Sequence, residues 1–580
     1  MRQTLPLASA VALMSLTPTA VADTPPYQPC PLLRAYYPAL TISKEAETVK
    51  SFAADFTSLF DHLIESNGSE DFGAITPNTT SFSVVLFSGS ETTDDDPIFF
   101  EYHYTAPKAT KNSTVDANTI FPLGTLTQLF TVYSWLVEVG DGHWDTSITV
   151  FLPELNDASA ADLAVEWDDI TVGALAGHMS GLARDCKLLP KSTTPATPLS
   201  VADGRRLAHA CILSQPCPRA DFIQNIGGQA PLFLPDTTPV ISNAAFQLLA
   251  LALEAQSGNR TLDQVLSTGL FEPLGMANSG LLTLAENTQV FAQDLNGSAI
   301  GEPGALSMLS TAADLARAGH AMLSSRLISP AATRRWLQPV ADTSNLRNAI
   351  GRPWEIYHAG RQGNSSILDV FTKTGSIGHY ASYFGLAPDF DAGFAILAHE
   401  AEAARGPDLN VYADIVSLAV AQLQDLAAAE MAARYAGTFV GPAGTATFTV
   451  SGDGPGLAVS RLEAGEVDLR AEIAAAAGVG LEDLDFRLYP SNVATETRHQ
   501  FVAVFQDKGA PVDMGTPTCV TWQDVGALGL TFDVRVMFDL DMSGKATNVT
   551  VAGGSLSLMR VAWYPVQQQR SRWSRRYIRV

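Results

Sequence analysis

The stretch FTKTGSIGHYASYFGLAPDFDAGFAILAH, residues 371–399, holds two apolar runs on either side of a Pro388-Asp389-Phe390-Asp391 turn. Apolar and aromatic runs bounded by Gly, Pro and Asp read as adjacent strands. Upstream, Ser81 to Ser88 (SFSVVLFS) is another short apolar strand, while Thr119 to Val139 and Ala244 to Gln256 have the period of amphipathic helices. This mixture, running from Asp23 to Gln424, predicts an α+β domain with an antiparallel sheet flanked by helices. The Ala-rich segment Val411 to Ala433 is the natural helical bridge out of it, with residues 425–434 as linker.

Beyond Tyr435 the pattern changes. Ala446 to Val450, Phe501 to Phe505, Thr531 to Phe538, Asn548 to Val551 and Leu556 to Val561 alternate between Gly and Asp turns, which predicts a smaller, mostly β domain over 435–580. One helical insert is expected near Ala471 to Ala477. The tail RSRWSRRYIR, Arg570 to Arg579, reads as a solvated basic terminus. Two domains agree with a chain of 580 residues.

Sixty acidic against 36 basic side chains leave a formal charge of −24, which repels phosphate backbones and anionic lipid and makes nucleic acid an unsuitable partner. Arg2, the apolar run Leu5 to Leu16 and Ala20-Val21-Ala22 form a signal-peptide pattern, so residues 1–22 are expected to be removed near Ala22 and the protein secreted. No later run is long enough for a membrane span. Sequons at Asn67, Asn78, Asn112, Asn259, Asn296, Asn364 and Asn548 then become candidate glycosylation sites. In an oxidising compartment up to four of Cys30, Cys186, Cys211, Cys217 and Cys519 would pair, and a disulfide is expected within the Cys186–Cys217 segment; spacing does not give the connectivity. No Cys or His spacing suggests a metal site, and neither metal nor cofactor is expected.

The candidate chemistry lies in three places. Thr125-Leu126-Thr127-Gln128 follows Gly124 in TIFPLGTLTQLFTV; Ile241-Ser242-Asn243 precedes the apolar helix AAFQLLALALEAQSG; and Lys373-Thr374-Gly375-Ser376 opens the strand pair. In this order the three stretches resemble the Ser-x-x-Lys, Tyr-x-Asn and Lys-Thr-Gly elements of the serine β-lactamase and penicillin-binding-protein-like family, related to class C and of the secreted fungal type with a C-terminal β domain. Further segments are similar: Trp167-Asp168-Asp169-Ile170 through His178-Met179-Ser180-Gly181-Leu182, Ser310 to Leu315, Pro353-Trp354-Glu355-Ile356, and Cys519-Val520-Thr521-Trp522.

The resemblance implies a nucleophile at Thr125, a base at Gln128, a proton shuttle at Ile241, an amide-binding Asn243, a carboxylate-attracting Lys373 and an oxyanion hole made by the N–H groups of Thr125 and Ser376. Two of these residues lack the chemistry required. A glutamine amide has no basic site of use at neutral pH, and Ile241 has no proton to give. Thr125 keeps a hydroxyl but adds a β-methyl. Asn243 has a second reading as a helix N-cap, Lys373 as a solvated surface lysine, and Gly375 as a position of close backbone approach. His178 reads as a packing or hydrogen-bonding residue in a turn. His379 and Tyr380, close behind Lys-Thr-Gly, are candidate substrate-binding groups or a replacement acid and base.

Three function classes follow, each with a small-molecule substrate or ligand. The first is an enzyme of secondary metabolism that acts on a small natural product by cyclase-, isomerase- or lyase-like catalysis, through orientation and hydrogen bonding without acyl transfer. The second is a residual ester or amide hydrolase or acyltransferase using Thr125. The third is a catalytically silent binding protein. Ordinary serine β-lactamase activity is not expected, and the sequence is silent on oligomeric state.

Overall fold

The computed structural model describes residues 30–561 except 35, 41, 43, 45, 91–95, 110–113, 158–164, 187–216, 283–289, 293–301, 360–367, 404, 453, 511–520, 526–534 and 552–555. The signal segment, Cys211, Cys519, the sequons at Asn112, Asn296 and Asn364, and the basic tail lie outside the described residues.

Residues 371–399 form the middle of an eight-stranded antiparallel sheet whose order is Ile98–Tyr104, Thr80–Ser88, Ala392–Glu400, Tyr380–Ala387, Leu368–Ile377, Glu355–Ala359, Asn348–Ile350 and Ala341–Asp342. The first apolar run is two strands rather than one. Gly378 takes a φ of 55° and, with His379, makes a two-residue turn that pairs Ile377 with Tyr380. The expected turn at Pro388 is a short 3-10 segment, Pro388–Phe390, closed by Asp391 at a φ of 52°.

Side-chain alternation then sorts two cores. Val85, Phe87, Phe371, Phe384, Ala395 and Leu397 face one side, against the helices Thr127–Glu138, Asn243–Gln256 and Ala312–Leu323. Val84, Leu86, Val370, Phe394 and Ile396 face the other, against Glu47–Ser66 and Asn410–Tyr435. A sheet covered on both faces explains why all nine residues of Thr80–Ser88 and of Ala392–Glu400 are buried. The segment expected to be an amphipathic helix from Thr119 differs more. Phe121–Pro122 is extended and pairs with Met308–Ser310, Gly124–Leu126 is one 3-10 turn, and the α-helix begins only at Thr127. Ten of its twelve residues are buried, so it is a core helix and has no solvated face.

The C-terminal domain is a closed barrel. Gly444–Thr449, Gly437–Gly441, Leu556–Arg560, Ala546–Val551, Arg535–Leu540, Arg498–Asp507, Leu484–Ala494 and Leu457–Ala464 follow in order, and pairing of the last with the first closes the ring. Closure removes the exposed edges an open sheet would leave. The helical insert is Leu469–Ala477, capped by Asp468.

The bridge is one uninterrupted helix, Asn410–Tyr435, and the stretch 425–434 is its final part. Ala419, Leu423 and Ala427 belong to the core under the sheet, whereas Met431 and Tyr435 belong to the barrel core. The Tyr435 ring meets Phe501 and Phe538 with centroids 4.9 and 5.3 Å away, and its hydroxyl lies 2.8 Å from His499 Nδ1. The N-terminal segment adds a second tie: the Cys30 N–H donates to Gln506 Oε1 at 2.7 Å, while Arg34 pairs with Asp369 at 2.6 Å. Among the described residues no helix is long and apolar enough to cross a membrane.

Tyr435→Ala should therefore cost about 3–5 kcal/mol, the usual cost of emptying an aromatic site in a packed core. Chemical denaturation followed by Trp fluorescence would check this, and a loss below about 1 kcal/mol would contradict the helix as part of the barrel core.

Candidate active site

The cleft is organised by a contact of backbone on backbone. A Cβ built on Gly375 would lie 2.0 Å from Leu123 O and 2.7 Å from Leu126 N, and one built on Gly124 would lie 2.8 Å from Ser376 N. Only glycine fits either place, and Gly124 also needs its positive φ of 56°. The close-approach reading of Gly375 is thus what the geometry requires. Ser382 Oγ donates to Leu123 O at 2.7 Å across the same contact. Thr125 and Ser376 are brought side by side, and the Thr125 hydroxyl donates to the Thr374 carbonyl at 3.1 Å. Thr125 is 8% exposed, and Ser376 is exposed.

Behind Thr125, Gln128 is fully enclosed. Its Nε2 donates to Asn243 Oδ1 at 3.0 Å, and Asn243 Nδ2 donates to Asp185 Oδ1 at 2.7 Å. This amide relay fixes both side chains and leaves Gln128 Oε1 with no hydrogen-bond partner among the described residues. The N-cap is Ser242, whose hydroxyl accepts from the Ala245 N–H, so Asn243 is the first residue of its helix and its side chain is committed to the relay.

Lys373 is no surface lysine. It is 0% exposed, and its Nζ donates to Glu355 Oε1 at 2.6 Å and to the Thr374 carbonyl at 3.1 Å. Glu355 Oε2 accepts from the Thr374 N–H at 3.0 Å and from its hydroxyl at 2.8 Å. Burial pushes the Glu355 carboxyl up, but the Lys373 charge, the hydrogen bonds from Lys373 and Thr374 and the neighbouring His178 outweigh it and hold it below the usual carboxylate range.

Beside this pair a cavity of ≈ 320 Å³ is lined by His178, Val240, Ile241, Ile350, Glu355 and Asp342, among others. Ile241 supplies an apolar wall. His178 sits at a φ of 59°, has its ring tilted against Phe246 with centroids 5.1 Å apart and places Nε2 3.2 Å from the Pro353 carbonyl, as a packing and hydrogen-bonding role requires; its Nδ1 is buried with no partner among the described residues. Burial, then the charge of Lys373, push its pKa down to about 4, so the ring is neutral at pH 7 and its lone hydrogen is the one given to Pro353.

Two residues stand elsewhere than expected. Tyr380 is completely buried and donates to the Phe291 carbonyl at 2.6 Å, so it does not reach the mouth of the cleft. Its register opposite Ile377 puts it on the face that carries Lys373, but the chain around Phe291 covers it there. His379 sits on the hairpin turn, half-buried, with Nδ1 3.1 Å from the Glu400 carbonyl.

Sequence reasoning missed Asp185, Glu355 and Glu302. Glu302 is fully buried; Oε1 accepts from the Cys186 N–H at 2.8 Å and Oε2 has no partner among the described residues. Burial raises its pKa to about 8, with nearby Asp185 adding to the rise against the pull of the Cys186 N–H. Glu355 had one signal, its place in the Pro353-Trp354-Glu355-Ile356 stretch; Asp185 and Glu302 had none in their spacing. No group of three or more potential metal ligands occurs among the described residues.

A family model described as "Beta-lactamase" matches residues 91–417, more than half of the 580. The chain belongs to the β-lactamase family. A second model, "Beta-lactamase-like-like, C-terminal domain", matches 427–562 and so takes in the barrel. The chain is 24% identical over 540 residues to the "Beta-lactamase-like protein" of Arthroderma benhamiae, covering 81% of this chain and 86% of that one. It is 21% identical over 453 residues to "Probable hydrolase clz13" of Cochliobolus lunatus, covering 70% of each. Among solved structures, a class C β-lactamase aligns with a TM-score of 0.47 at 17% identity over 65% of this chain and 98% of that one. In this β-lactamase-family protein the Lys-Thr-Gly strand is the element at which Thr125, Ser376 and Glu355 meet.

Two outcomes follow. Gly375→Ala would force a Cβ into the Leu123 carbonyl, and a loss of about 3 kcal/mol or more, read as a lowered melting temperature, is expected. For His178, the unfolded chain binds a proton between about pH 6.5 and 4 while the folded chain does not. The stability it gives is therefore complete above about pH 6.5 and falls as the pH drops through that window. His178→Asn should flatten the acid side of the stability profile by roughly 3 kcal/mol between pH 7 and 4; an unchanged slope would contradict a buried neutral imidazole.

Proposed function

We propose that the protein is a secreted enzyme of secondary metabolism that acts on a small natural product by cyclase-, isomerase- or lyase-like catalysis without an acyl-enzyme. One observation carries the reading. The position where a base would serve the Thr125 hydroxyl is held by Gln128, locked in an amide relay to Asn243 and Asp185. Without a base the threonine hydroxyl is a poor nucleophile. What remains is a cavity with an apolar wall at Ile241 and fixed polar groups at Glu355, His178 and Asp342, which suits binding and orienting a neutral molecule. In this reading Lys373 and Thr374 hold Glu355 against the cavity, Gly375 lets the strand that carries Ser376 lie against Thr125, Asn243 fixes Gln128 behind it, and His379 lies on the adjoining hairpin turn.

Secretion belongs to the same proposal, with glycosylation at sequons that reach solvent. Asn67, Asn78 and Asn259 are exposed, whereas Asn548 is half-buried with its Oδ1 enclosed. The first three are the sites at which a glycan is expected.

A second reading, hydrolysis of an ester or amide through Thr125, draws support from the name of the Cochliobolus relative. One comparison separates the two. The wild-type protein should leave a chromogenic ester and a chromogenic cephalosporin intact, whereas under the second reading Thr125→Ser with Gln128→Lys should raise ester hydrolysis on the order of a hundredfold. Strong wild-type hydrolysis abolished by Thr125→Ala would overturn the first reading. Metabolite profiles of a deletion strain complete the test: a precursor that accumulates and a product that disappears are expected, and an unchanged profile would favour a silent binding protein.

A further inference from the structure

We propose that Glu355 is a built-in carboxylate filling the anion position of the cleft, and that it makes the site select molecules bearing no carboxylate there. Three donors converge on this one side chain: Lys373 Nζ at 2.6 Å, Thr374 Oγ1 at 2.8 Å and the Thr374 N–H at 3.0 Å. An ammonium, a hydroxyl and a free backbone N–H around one point make a cradle for a carboxylate from any source.

The strand geometry explains why the cradle exists. Glu355 is the first residue of its strand and pairs with Thr372, so the partner strand ends just before Thr374. The Thr374 N–H would stand unpaired at that edge, and the Glu355 side chain turns back along the edge to take it. The same carboxylate neutralises Lys373, which has no exposed surface through which water could solvate its charge.

Glu355 is not sealed away with its partner. Its side chain keeps 29% exposure, and it lines the cavity that holds Ile241 and His178. A molecule in that cavity meets the outer side of an ionised carboxylate whose best donors are already used. Neutral His178 adds no positive charge, and Asp342 on the same wall adds a negative one. A carboxylate ligand would be repelled by the two carboxylates on this wall, whereas a hydroxyl, an amide N–H or an amine would find an acceptor in Glu355.

Removing the side chain tests the proposal with acetate as the probe. Glu355→Ala should lower the melting temperature, and acetate should restore it saturably, with sodium chloride at equal ionic strength having no such effect. Apparent acetate affinity should be at least about tenfold above that of wild type. The double variant Glu355→Ala with Lys373→Met should lose the response. Should Glu355→Ala fail to fold, Glu355→Gln keeps the shape while leaving the lysine charge open, and benzoate should then bind at least about tenfold more tightly than to wild type. Wild type that binds either anion as well as the variants, or a folded Glu355→Ala that responds to acetate no more than to chloride, would overturn the assignment. The inference rests on the small-molecule reading of this cleft, but its assay needs no turnover. A failed substrate search leaves it standing, and a failed acetate rescue leaves the proposed catalysis untouched.

Discussion

Everything in the cleft depends on two backbones lying against each other with only glycine between them. Gly375 and Gly124 let the strand Leu368–Ile377 press on the turn Leu123–Leu126, at separations a single Cβ would destroy. That contact sets Thr125 against the Thr374 carbonyl, brings Ser376 alongside, and starts the helix that carries Gln128. A site built from main-chain atoms is insensitive to which side chains decorate it. The scaffold can therefore stand while the letters at Thr125, Gln128 and Ile241 carry little proton-transfer chemistry.

The charges follow a similar economy. A fully enclosed lysine requires a counter-charge, and Glu355 supplies it; burial keeps His178 neutral, and the charge of the same lysine adds to the effect. Burial raises the Glu302 carboxyl to about 8, so it keeps its proton through neutral pH. Among the described residues, Lys373 and Glu355 thus form an ion pair beside the cavity, His178 is neutral at pH 7, and the Glu302 carboxyl is raised to about 8. This is an arrangement of hydrogen bonds more than of free charge.

The fold was legible where the sequence writes period and punctuation. The apolar runs of 371–399, the helix after Asn243, the Ala-rich bridge and the β segments after Tyr435 all form the predicted type of element. Gly375 was legible as a point of close approach for the same local reason. Legibility failed where a residue's surroundings come from distant chain. Tyr380 follows Lys-Thr-Gly closely in sequence but is covered by the segment at Phe291; Lys373 looks like any lysine until Glu355 is placed beside it by strand pairing. Gln128 is linked through Asn243 to Asp185, residues that no periodicity connects.

The continuous helix Asn410–Tyr435 has a consequence for how such chains can vary. Its first part is fixed in rotation by Tyr412, Ile415 and Val416 beneath the sheet, and its last by Met431 and Tyr435 inside the barrel. Between these anchors it behaves as a keyed shaft. Inserting one residue would turn the far end by about 100° and advance it about 1.5 Å, swinging Tyr435 out of the barrel. Length changes in this helix are tolerable only in near-whole turns, whereas the surface loops on either side carry no such arithmetic.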